Sequence, residues 1–263
     1  MTYSNIQGVP DFECNEYDHK KTKYCLLIPV INEGNRILNE LHRAKTADIN
    51  TLIDIIICDG GSSDGWTSAD IHRQFGVNTL LIKAGTGKQG AQMRMGFWWA
   101  LGRGYEGFVT IDGNNKDSVE DVPAFIEKLD EGYDFVQGSR FIKGGKAVNT
   151  PFIRWVAVRL IHAPIISFIA KRRFTDTTNA YRAYSKKYIT HPAVQPFRDI
   201  FITYELLAYL SVKAGHLGFM ICEIPVTREY PKNEKIPTKI KGFSGNTHLL
   251  KILFETARGK YDV

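Results

Sequence analysis

Short apolar runs alternate along the chain with segments in which apolar residues recur every three or four positions. Such near-continuous apolar runs are typical of strands buried on both faces of a parallel sheet, whereas the three-to-four spacing predicts amphipathic helices, as for Val122, Phe125 and Leu129. The alternation predicts an α/β fold, an open and mostly parallel sheet with helices on both faces. The four clearest runs are YCLLIPV (24–30), LIDIIIC (52–58), TLLIK (79–83) and GFVTI (107–111).

The segments that follow these four runs are polar or rich in glycine. They read PVINEGN, CDGGSSDGW, KAGTGKQGA and TIDGNNKDS. Ligands of open α/β sheets bind beyond the carboxyl ends of the strands. We therefore expect the functional site to lie where these four loops meet.

Composition narrows the class of partner. The 263 residues carry a net charge of +6, which favours an anionic partner such as a nucleotide, a lipid phosphate or a membrane surface. Nucleic acid is not expected, because no aromatic-basic binding motif is found. The N-terminus has no apolar leader and the apolar stretch at 163–170 is too short to span a bilayer, so we expect a cytoplasmic protein, at most peripheral on the inner face of the membrane.

One loop permits a different class of enzyme. Gly85, Gly87 and Gly90 form a G-x-G-x-x-G pattern between a predicted strand and a predicted helix, and Asp112 follows about twenty residues later. This spacing is that of a dinucleotide fingerprint. An NAD-dependent oxidoreductase is therefore an alternative, and a glycine-rich turn without a ligand is another.

Five segments resemble family 2 glycosyltransferases, in the order found in that family. PVINEGNRI, CDGGSSDGW and GKQGAQMRMGF resemble segments of the whole family, and YDFVQGSRFIKGG and FTDTTNAYRAYSKKYI resemble its dolichyl-phosphate mannose synthase-like branch. Together they cover roughly residues 24 to 190. The resemblance implies a GT-A fold, a nucleotide-diphosphosugar donor and a divalent cation, Mg²⁺ or Mn²⁺.

The resemblance also implies which residues bind the donor. Asp59 matches an acid that contacts the base, whereas the second acid of that segment is Gly60 here. The positions that match the nucleotide-sugar site are Pro29, Asn32, Glu33, Asp59, Lys88, Arg94 and Asp112.

The metal site implied by the resemblance lacks one acid. Members of the family carry D-x-D at the fourth strand end, where this chain has Thr110-Ile111-Asp112. Mg²⁺ often uses only one or two carboxylates together with phosphate oxygens and waters. We therefore expect a metal at Asp112, completed by Asn114 or Asp117, with weaker affinity than at a two-acid site.

Basic residues further along match the acceptor side of the family. Arg140 matches an arginine that faces the acceptor phosphate or the donor, and Arg154 matches one in a membrane-lying amphipathic region, although a serine of that region is Val158 here. Residues 151–174 are apolar with sparse basic residues, which predicts a lipid-facing surface or, alternatively, a core or homodimer helix pair. Arg228 and Lys239 lie in a basic segment that predicts a flap over the diphosphate.

Glu205 is the expected general base if the acceptor is a sugar hydroxyl. It lies on a predicted helix where many inverting relatives place an acid. A lipid phosphate would need no strong base, because it is already ionised. The predicted catalytic set is thus Asp112, Glu205 and Arg140.

We predict one domain with two flanking segments. A polar tail spans 1–22, the GT-A domain spans 23–225 with a nucleotide-sugar half (23–145) and an acceptor half (146–225), and a basic flap and helix span 226–263. The predicted activity is inverting, metal-dependent transfer of a sugar to a polyprenyl phosphate or a glycan, in cell-surface polysaccharide or glycolipid assembly. A catalytically decayed nucleotide-sugar-binding protein is the further alternative.

Overall fold

A computed structural model describes residues 1–66, 68–232 and 242–262, the side chains of 242–246 excepted. The strands are β1 (Thr2–Tyr3), β2 (Phe12–Glu16), β3 (Tyr24–Val30), β4 (Asp54–Asp59), β5 (Val77–Lys83), β6 (Gly107–Thr110), β7 (Phe135–Ser139), β8 (Lys146–Val148), β9 (Arg182–Ser185), β10 (Ile221–Pro225) and β11 (Thr227–Glu229). The α-helices are α1 (Asn35–Thr46), α2 (Ile49–Leu52), α3 (Ala69–Gln74), α4 (Gln89–Gly102), α5 (Val122–Asp130), α6 (Phe152–Val156), α7 (Ala163–Ile169), α8 (Lys186–Ile189), α9 (Glu205–His216) and α10 (Gly242–Ala257). A π-helical turn (Ala157–His162) joins α6 to α7, and a short 3₁₀ turn (Val119–Asp121) precedes α5.

In the described ranges, nine strands form one sheet in the order β1-β2-β5-β4-β3-β6-β9-β7-β10. The four strands predicted from the apolar runs, β3 to β6, are parallel neighbours at its centre, while β9 runs antiparallel between β6 and β7. Strands β8 and β11 form a separate parallel pair. The central strands therefore place their carboxyl ends, and the loops that follow them, at one edge.

Both faces of the sheet are buried, as the continuous apolar runs predict. In β3, Cys25 and Leu27 belong to one core with α4, α9 and α10, while Leu26 and Ile28 belong to the other core with α1 and α5. Successive side chains of a strand point to opposite faces. Helices on both faces of the sheet are thus required to cover it, and they are found there.

Helix α4 packs unusually close to the sheet. A Cβ atom at Gly96 would lie 2.6 Å from Cys58 Sγ on β4, and the buried Gln92 donates from Nε2 to Val30 O at 2.6 Å and Cys58 O at 2.8 Å. The amide thereby joins the ends of β3 and β4. This contact holds two of the site loops in a fixed relation.

The N-terminal segment is not the polar tail that was predicted. Strand β2 pairs antiparallel with β5 from Phe12 opposite Lys83 to Glu16 opposite Thr79, and Phe12 and Cys14 are buried while Glu13 and Glu16 are exposed. The alternation within FECNE is a period-two signal of an edge strand with one buried face. Its polar composition obscured that signal.

Helix α6, the π-helical turn and α7 form one continuous helical segment, Phe152–Ile169. Its 18 residues are long and apolar enough to cross a membrane by length and composition alone, and 17% of this stretch is buried. The sequence expectation that the apolar stretch was too short considered only 163–170, so it was wrong about length. The segment packs through α7 against α9 and α10.

Candidate active site

One cavity of about 960 Å³ opens at the carboxyl ends of the central strands. One end of it is charged and is formed by strand-end loops and by β11. The other end is apolar and is formed by the helical segment 152–169 together with α9 and α10. Residues at the charged end include Pro29, Glu33, Gly60, Lys88, Asp112, Asn114, Lys116, Arg140, Arg228 and Tyr230, and the apolar end includes Ile153, Val158, Ile161, Ile166, Leu207, Ala208, Leu250 and Leu253.

Asp59 shapes a loop of the charged end. Its fully buried carboxylate accepts from the N–H groups of Gly61 and Ser62 at 2.9 and 2.8 Å and from Ser62 Oγ at 2.5 Å. Asn32 Oδ1 accepts from the N–H of Ser63 at 2.8 Å. Asp59 and Asn32 thus hold the loop that carries Gly60 to the cavity, and neither side chain lines the cavity in this structure.

Asp112 is an acid of the charged end whose side chain is partly exposed, at 23%. Its Oδ1 accepts from Gln89 Nε2 at 2.9 Å, and its Oδ2 accepts from Asn114 Nδ2 at 3.3 Å and from Arg228 Nη2 at 3.2 Å. The loop after β6 is also held by α1, because the buried Glu40 of that helix accepts from the N–H of Asn115 at 2.8 Å. Asp112 therefore faces the cavity from a well-supported loop.

Asp117 lies behind Asp112 and is fully buried. Its Oδ2 accepts from Arg228 Nη1, while its Oδ1 has no hydrogen-bond partner among the described residues. Burial raises the pKa of Asp117 to about 6, with Arg228 opposing the shift and Asp112 adding to it. Burial opposes the charge of Arg228, but Asp117 and Asp112 outweigh it and raise the pKa of Arg228 above its ordinary value.

Arg140 is the second arginine of the charged end, and it is fixed by Asp176. Its Nε and Nη2 donate to the two carboxylate oxygens at 2.6 and 2.9 Å, and Nη2 also donates to Thr178 Oγ1 at 3.1 Å. Both partners of the ion pair are almost wholly buried. A bidentate arginine–carboxylate pair is geometrically specific, so Arg140 is presented to the cavity in one orientation.

Cationic side chains surround the ring of Tyr230. Arg154 Nη1 lies 3.1 Å from its hydroxyl, and Lys116 Nζ and Arg154 Cζ lie 5.2 and 5.5 Å from the ring centre. Burial favours the neutral phenol, but Arg228, Arg154 and Arg140 outweigh it and lower the pKa of Tyr230 to about 8. Burial, with Arg228 next, also lowers the pKa of Lys116 to about 8.

Besides Asn32 and Asp59, two further predicted site residues do not line the cavity. Arg94 donates to Gly8 O at 2.6 Å and Asp199 Oδ1 at 2.7 Å, away from the main cavity, because α4 directs it towards the N-terminal segment. Glu205 accepts from the N–H and the hydroxyl of Thr203 at 2.5 and 2.7 Å at the start of α9, and it does not line the cavity. The structure brings neither residue to the reacting centre.

Eight of the remaining predicted residues meet at the cavity. Pro29, Glu33, Lys88, Asp112, Asn114, Arg140, Arg154 and Arg228 all line the cavity. Lys239 lies outside the described residues. Within the glycine loop, Gly90 serves packing, since a Cβ atom there would lie 2.6 Å from Phe201 O, whereas Gly87 lines the cavity.

Sequence reasoning missed Tyr230 and Asp176 as members of the site. Asp176 stands in the segment FTDTTNAYRAY, where the family resemblance gave a usable signal. Tyr230 had no such signal, because β11 approaches the cavity only after pairing with β8.

The charged end can hold a divalent cation only if a ligand supplies part of the coordination. Within the described ranges, no three His, Cys, Asp or Glu side chains cluster closely enough to hold a metal by themselves. Asp112 offers a partly exposed carboxylate at the cavity, and behind it Asp117 has a buried oxygen to which no side chain or backbone group in the described part of the chain donates. Mg²⁺ and its close relatives accept a site built from one carboxylate and the phosphates of a ligand, so the residues present fit a metal that binds together with a diphosphate.

Comparison with known proteins assigns the class. Residues 25–194 match glycosyl transferase family 2, so the chain belongs to that family. It is a glycosyltransferase, and the expected GT-A fold is confirmed. The oxidoreductase alternative is therefore set aside.

Two relatives and one solved structure show which members of known families the chain is similar to. The chain is 26% identical to the polyprenol monophosphomannose synthase of Mycolicibacterium smegmatis, over 90% of this chain and 88% of the relative. It is 28% identical to the undecaprenyl-phosphate mannosyltransferase of Micrococcus luteus, over 76% and 81%. In fold it resembles the glucosyl-3-phosphoglycerate synthase of Mycobacterium tuberculosis, crystallised with Mn²⁺, UDP-glucose and phosphoglyceric acid, with a TM-score of 0.62, 13% identity and coverage of 90% and 80%.

Proposed function

We propose that the protein transfers a sugar from a nucleotide-diphosphosugar to a polyprenyl phosphate, with inversion at the anomeric carbon and with a divalent metal. The observation that carries the proposal is the cavity itself. Its charged end, at the strand-end loops, is continuous with an apolar end between helices. A polyprenyl phosphate combines an anionic head with an apolar chain, so this one cavity matches both parts of that acceptor.

The relatives support the acceptor class. Both relatives named above carry a polyprenol or an undecaprenyl phosphate in their names, and both are mannosyltransferases or mannose synthases by name. The match to the first relative extends over most of both chains. A glycan acceptor receives less support, because Glu205, the base that a sugar hydroxyl would need, does not line the cavity.

The donor side supplies electrostatic stabilisation. When bound, the metal would withdraw charge from the departing diphosphate. Asp112 and Asn114 would hold it, and Pro29, Glu33 and Gly60 would border the nucleoside, since these residues line the cavity at the ends of β3 and β4. Fixed cations at the position where charge develops need no reorganisation during reaction.

The acceptor phosphate would lie between Arg140, Arg154 and Tyr230. Arg140 is held in one orientation by Asp176, and Arg154 is held by the Tyr230 hydroxyl. An ionised phosphate oxygen is already a nucleophile, so it would attack the anomeric carbon without a protein base. The bond from that carbon to the diphosphate oxygen would break, and the nucleoside diphosphate would leave with the electron pair. One such displacement inverts the configuration at that carbon.

The helical segment 152–169 is proposed to lie on the inner face of the membrane. Phe152, Ile153 and Phe168 are 76%, 78% and 86% exposed. Arg154 and Arg159 lie between them in the sequence, and Lys171 follows the end of the segment. Apolar residues with basic neighbours are typical of helices that lie at an anionic lipid surface. Ile153 both lines the cavity and reaches this surface, so a lipid chain would enter from the membrane.

A transfer assay tests the proposal. Purified protein is incubated with undecaprenyl phosphate, Mn²⁺ and one radiolabelled donor at a time: GDP-mannose, UDP-glucose, UDP-galactose and UDP-N-acetylglucosamine. We expect one donor to pass its label into the organic phase, with a β-linked product from an α-linked donor by NMR. Nucleotide binding without transfer from any donor would instead support the decayed binding protein, and transfer only to a water-soluble glycan would overturn the acceptor class.

A further inference from the structure

Arg228 occupies the centre of the charged end, between two carboxylates. It projects from β11, its Nη2 lies 3.2 Å from Asp112 Oδ2, and its Nη1 contacts Asp117 Oδ2 and lies 3.3 Å from Asn179 Oδ1. Its side chain is 8% exposed. A guanidinium is therefore fixed beside one oxygen of the carboxylate that lines the cavity.

All the hydrogen bonds that the structure gives to Asp112 come from N–H donors. Gln89 donates to Oδ1, and Asn114 and Arg228 donate to Oδ2. An N–H group cannot ligate a cation, and a guanidinium repels one. A divalent ion that binds Oδ2 must therefore displace Arg228 or share the oxygen with it against their mutual repulsion.

Thr110 does not restore the missing acid. Its hydroxyl is buried and donates to Ala180 O at 2.6 Å, on the neighbouring chain segment. Relative to a two-acid site, this charged end thus has one carboxylate fewer, and it contains a buried arginine in contact with the carboxylate that remains.

We propose that Arg228 is the resident cation of the donor diphosphate subsite, and that it competes with the divalent metal for Asp112. Its guanidinium neutralises part of the diphosphate charge when no metal is bound. The inference rests on the proposed function only in that the donor carries a nucleoside diphosphate. It follows that the protein binds such a nucleotide in the absence of metal. It also follows that metal increases the nucleotide affinity of the unmodified protein by a smaller factor than that of a variant without Arg228.

Calorimetric titration with UDP and with GDP, each in EDTA and in Mn²⁺, tests the proposal. For the unmodified protein we expect binding of one nucleotide in EDTA and a gain of less than roughly tenfold with Mn²⁺. Arg228→Gln should weaken binding in EDTA by roughly tenfold or more, because a charged hydrogen-bonding partner is lost. It should also tighten Mn²⁺ binding, measured by electron paramagnetic resonance of the free ion, by roughly fivefold.

Three variants control for folding and for charge. Arg43→Gln removes another arginine that supports the same loop, through Asn115 Oδ1 at 2.9 Å and Glu120 at 2.9 Å, but does not line the cavity; it should behave as the unmodified protein in both titrations. Asp117→Asn combined with Arg228→Gln removes both members of the buried ion pair, so that no unpaired charge remains. Arg228→Lys should keep part of the binding in EDTA, because the charge is retained.

The outcomes separate this inference from the proposed function. If Arg228→Gln and the double variant bind nucleotide in EDTA and Mn²⁺ as the unmodified protein does, Arg228 only braces Asp117 and the inference is overturned. If the unmodified protein binds nucleotide only with Mn²⁺, the inference is likewise overturned while the donor assignment stands. If it binds neither nucleotide under either condition, the donor class of the proposed function fails together with the inference.

Discussion

The two ends of the cavity are built by different means. At the charged end, short loops follow β3, β4 and β6, and hydrogen bonds hold Asp59, Asp112, Arg140 and Arg228 in place. At the apolar end, side chains come from helices in three distant parts of the chain, and their contacts carry no direction. The charged end is therefore suited to recognise one chemical group, and the apolar end is suited to accept chains of different length.

The first prediction concerns the stiffness of the charged end. Asp176→Asn leaves Arg140 buried without its counter-charge, since both are almost fully buried. We expect a loss of about 3–5 kcal/mol in the free energy of unfolding, measured by urea denaturation. Asp130→Asn removes one partner of an exposed pair with Lys23 and should cost about 1 kcal/mol or less. Equal losses in the two variants would contradict a rigid charged end.

The second prediction concerns the reaction at that end. Asp112→Asn keeps the size of the side chain but removes its charge, so transfer should fall by about 10²–10³-fold in kcat/KM with Mn²⁺ present. Asp130→Asn, at the C-terminus of α5 and beside the first residue of β3, should transfer normally. Metal-dependent turnover of Asp112→Asn at the full rate would remove Asp112 from the catalytic residues.

The third prediction concerns the apolar end alone. Ala208 lines the cavity on α9, so Ala208→Trp should narrow the path of the lipid chain. We expect kcat/KM for undecaprenyl phosphate to fall by roughly tenfold, which is about 1.4 kcal/mol of lost acceptor binding, with UDP or GDP affinity unchanged. A short-chain acceptor such as citronellyl phosphate should be affected less. Equal loss with both acceptors would argue against a lipid chain beside α9.

The fourth prediction concerns the outer surface of the helical segment 152–169. Phe168→Ser should weaken binding to vesicles that contain phosphatidylglycerol, by about tenfold or less, because one exposed aromatic side chain no longer enters the lipid. Leu52→Ser, at an exposed leucine of α2, is the matched control and should bind vesicles unchanged. Sedimentation with vesicles measures both. Unchanged binding of Phe168→Ser would remove this surface from the membrane contact.

The smallest effect is expected from pH. The pKa of Tyr230 is lowered from 10 to about 8, so its phenolate adds stability that is fully present above pH 10 and is lost as the pH falls through about 8. Anion binding has the opposite sign, because phenolate repels phosphate and Lys116 loses its charge over the same range. Affinity for nucleotide should thus fall roughly threefold as the pH rises through 8. In Tyr230→Phe, only the part of this fall in affinity that is due to Lys116 should remain. If the pH dependence of nucleotide affinity is the same in that variant as in the unmodified protein, Tyr230 is not the group that titrates.

How much could be predicted from sequence differs between the two ends. The central strands and their loops follow from local patterns, because buried parallel strands are continuous apolar runs and their carboxyl ends converge. The prediction that Arg94 lies in the donor site was wrong, because its helix, α4, directs the side chain towards Asp199. The apolar end needs the meeting of 152–169, α9 and α10, and no local period encodes which helices meet. Tyr230 was likewise hidden, because its place depends on the pairing of β8 with β11.

The central claim is that one cavity binds the donor diphosphate and the acceptor phosphate at its charged end and the lipid chain of the acceptor at its apolar end. Photo-crosslinking with a polyprenyl phosphate that carries a benzophenone near its first isoprene unit, followed by mass spectrometry of the peptides, tests it most directly. The account predicts label on residues of 152–169, α9 or 249–253, with the Ala208→Trp variant labelled less. Label confined to other surfaces, and unaffected by that variant, would contradict the account.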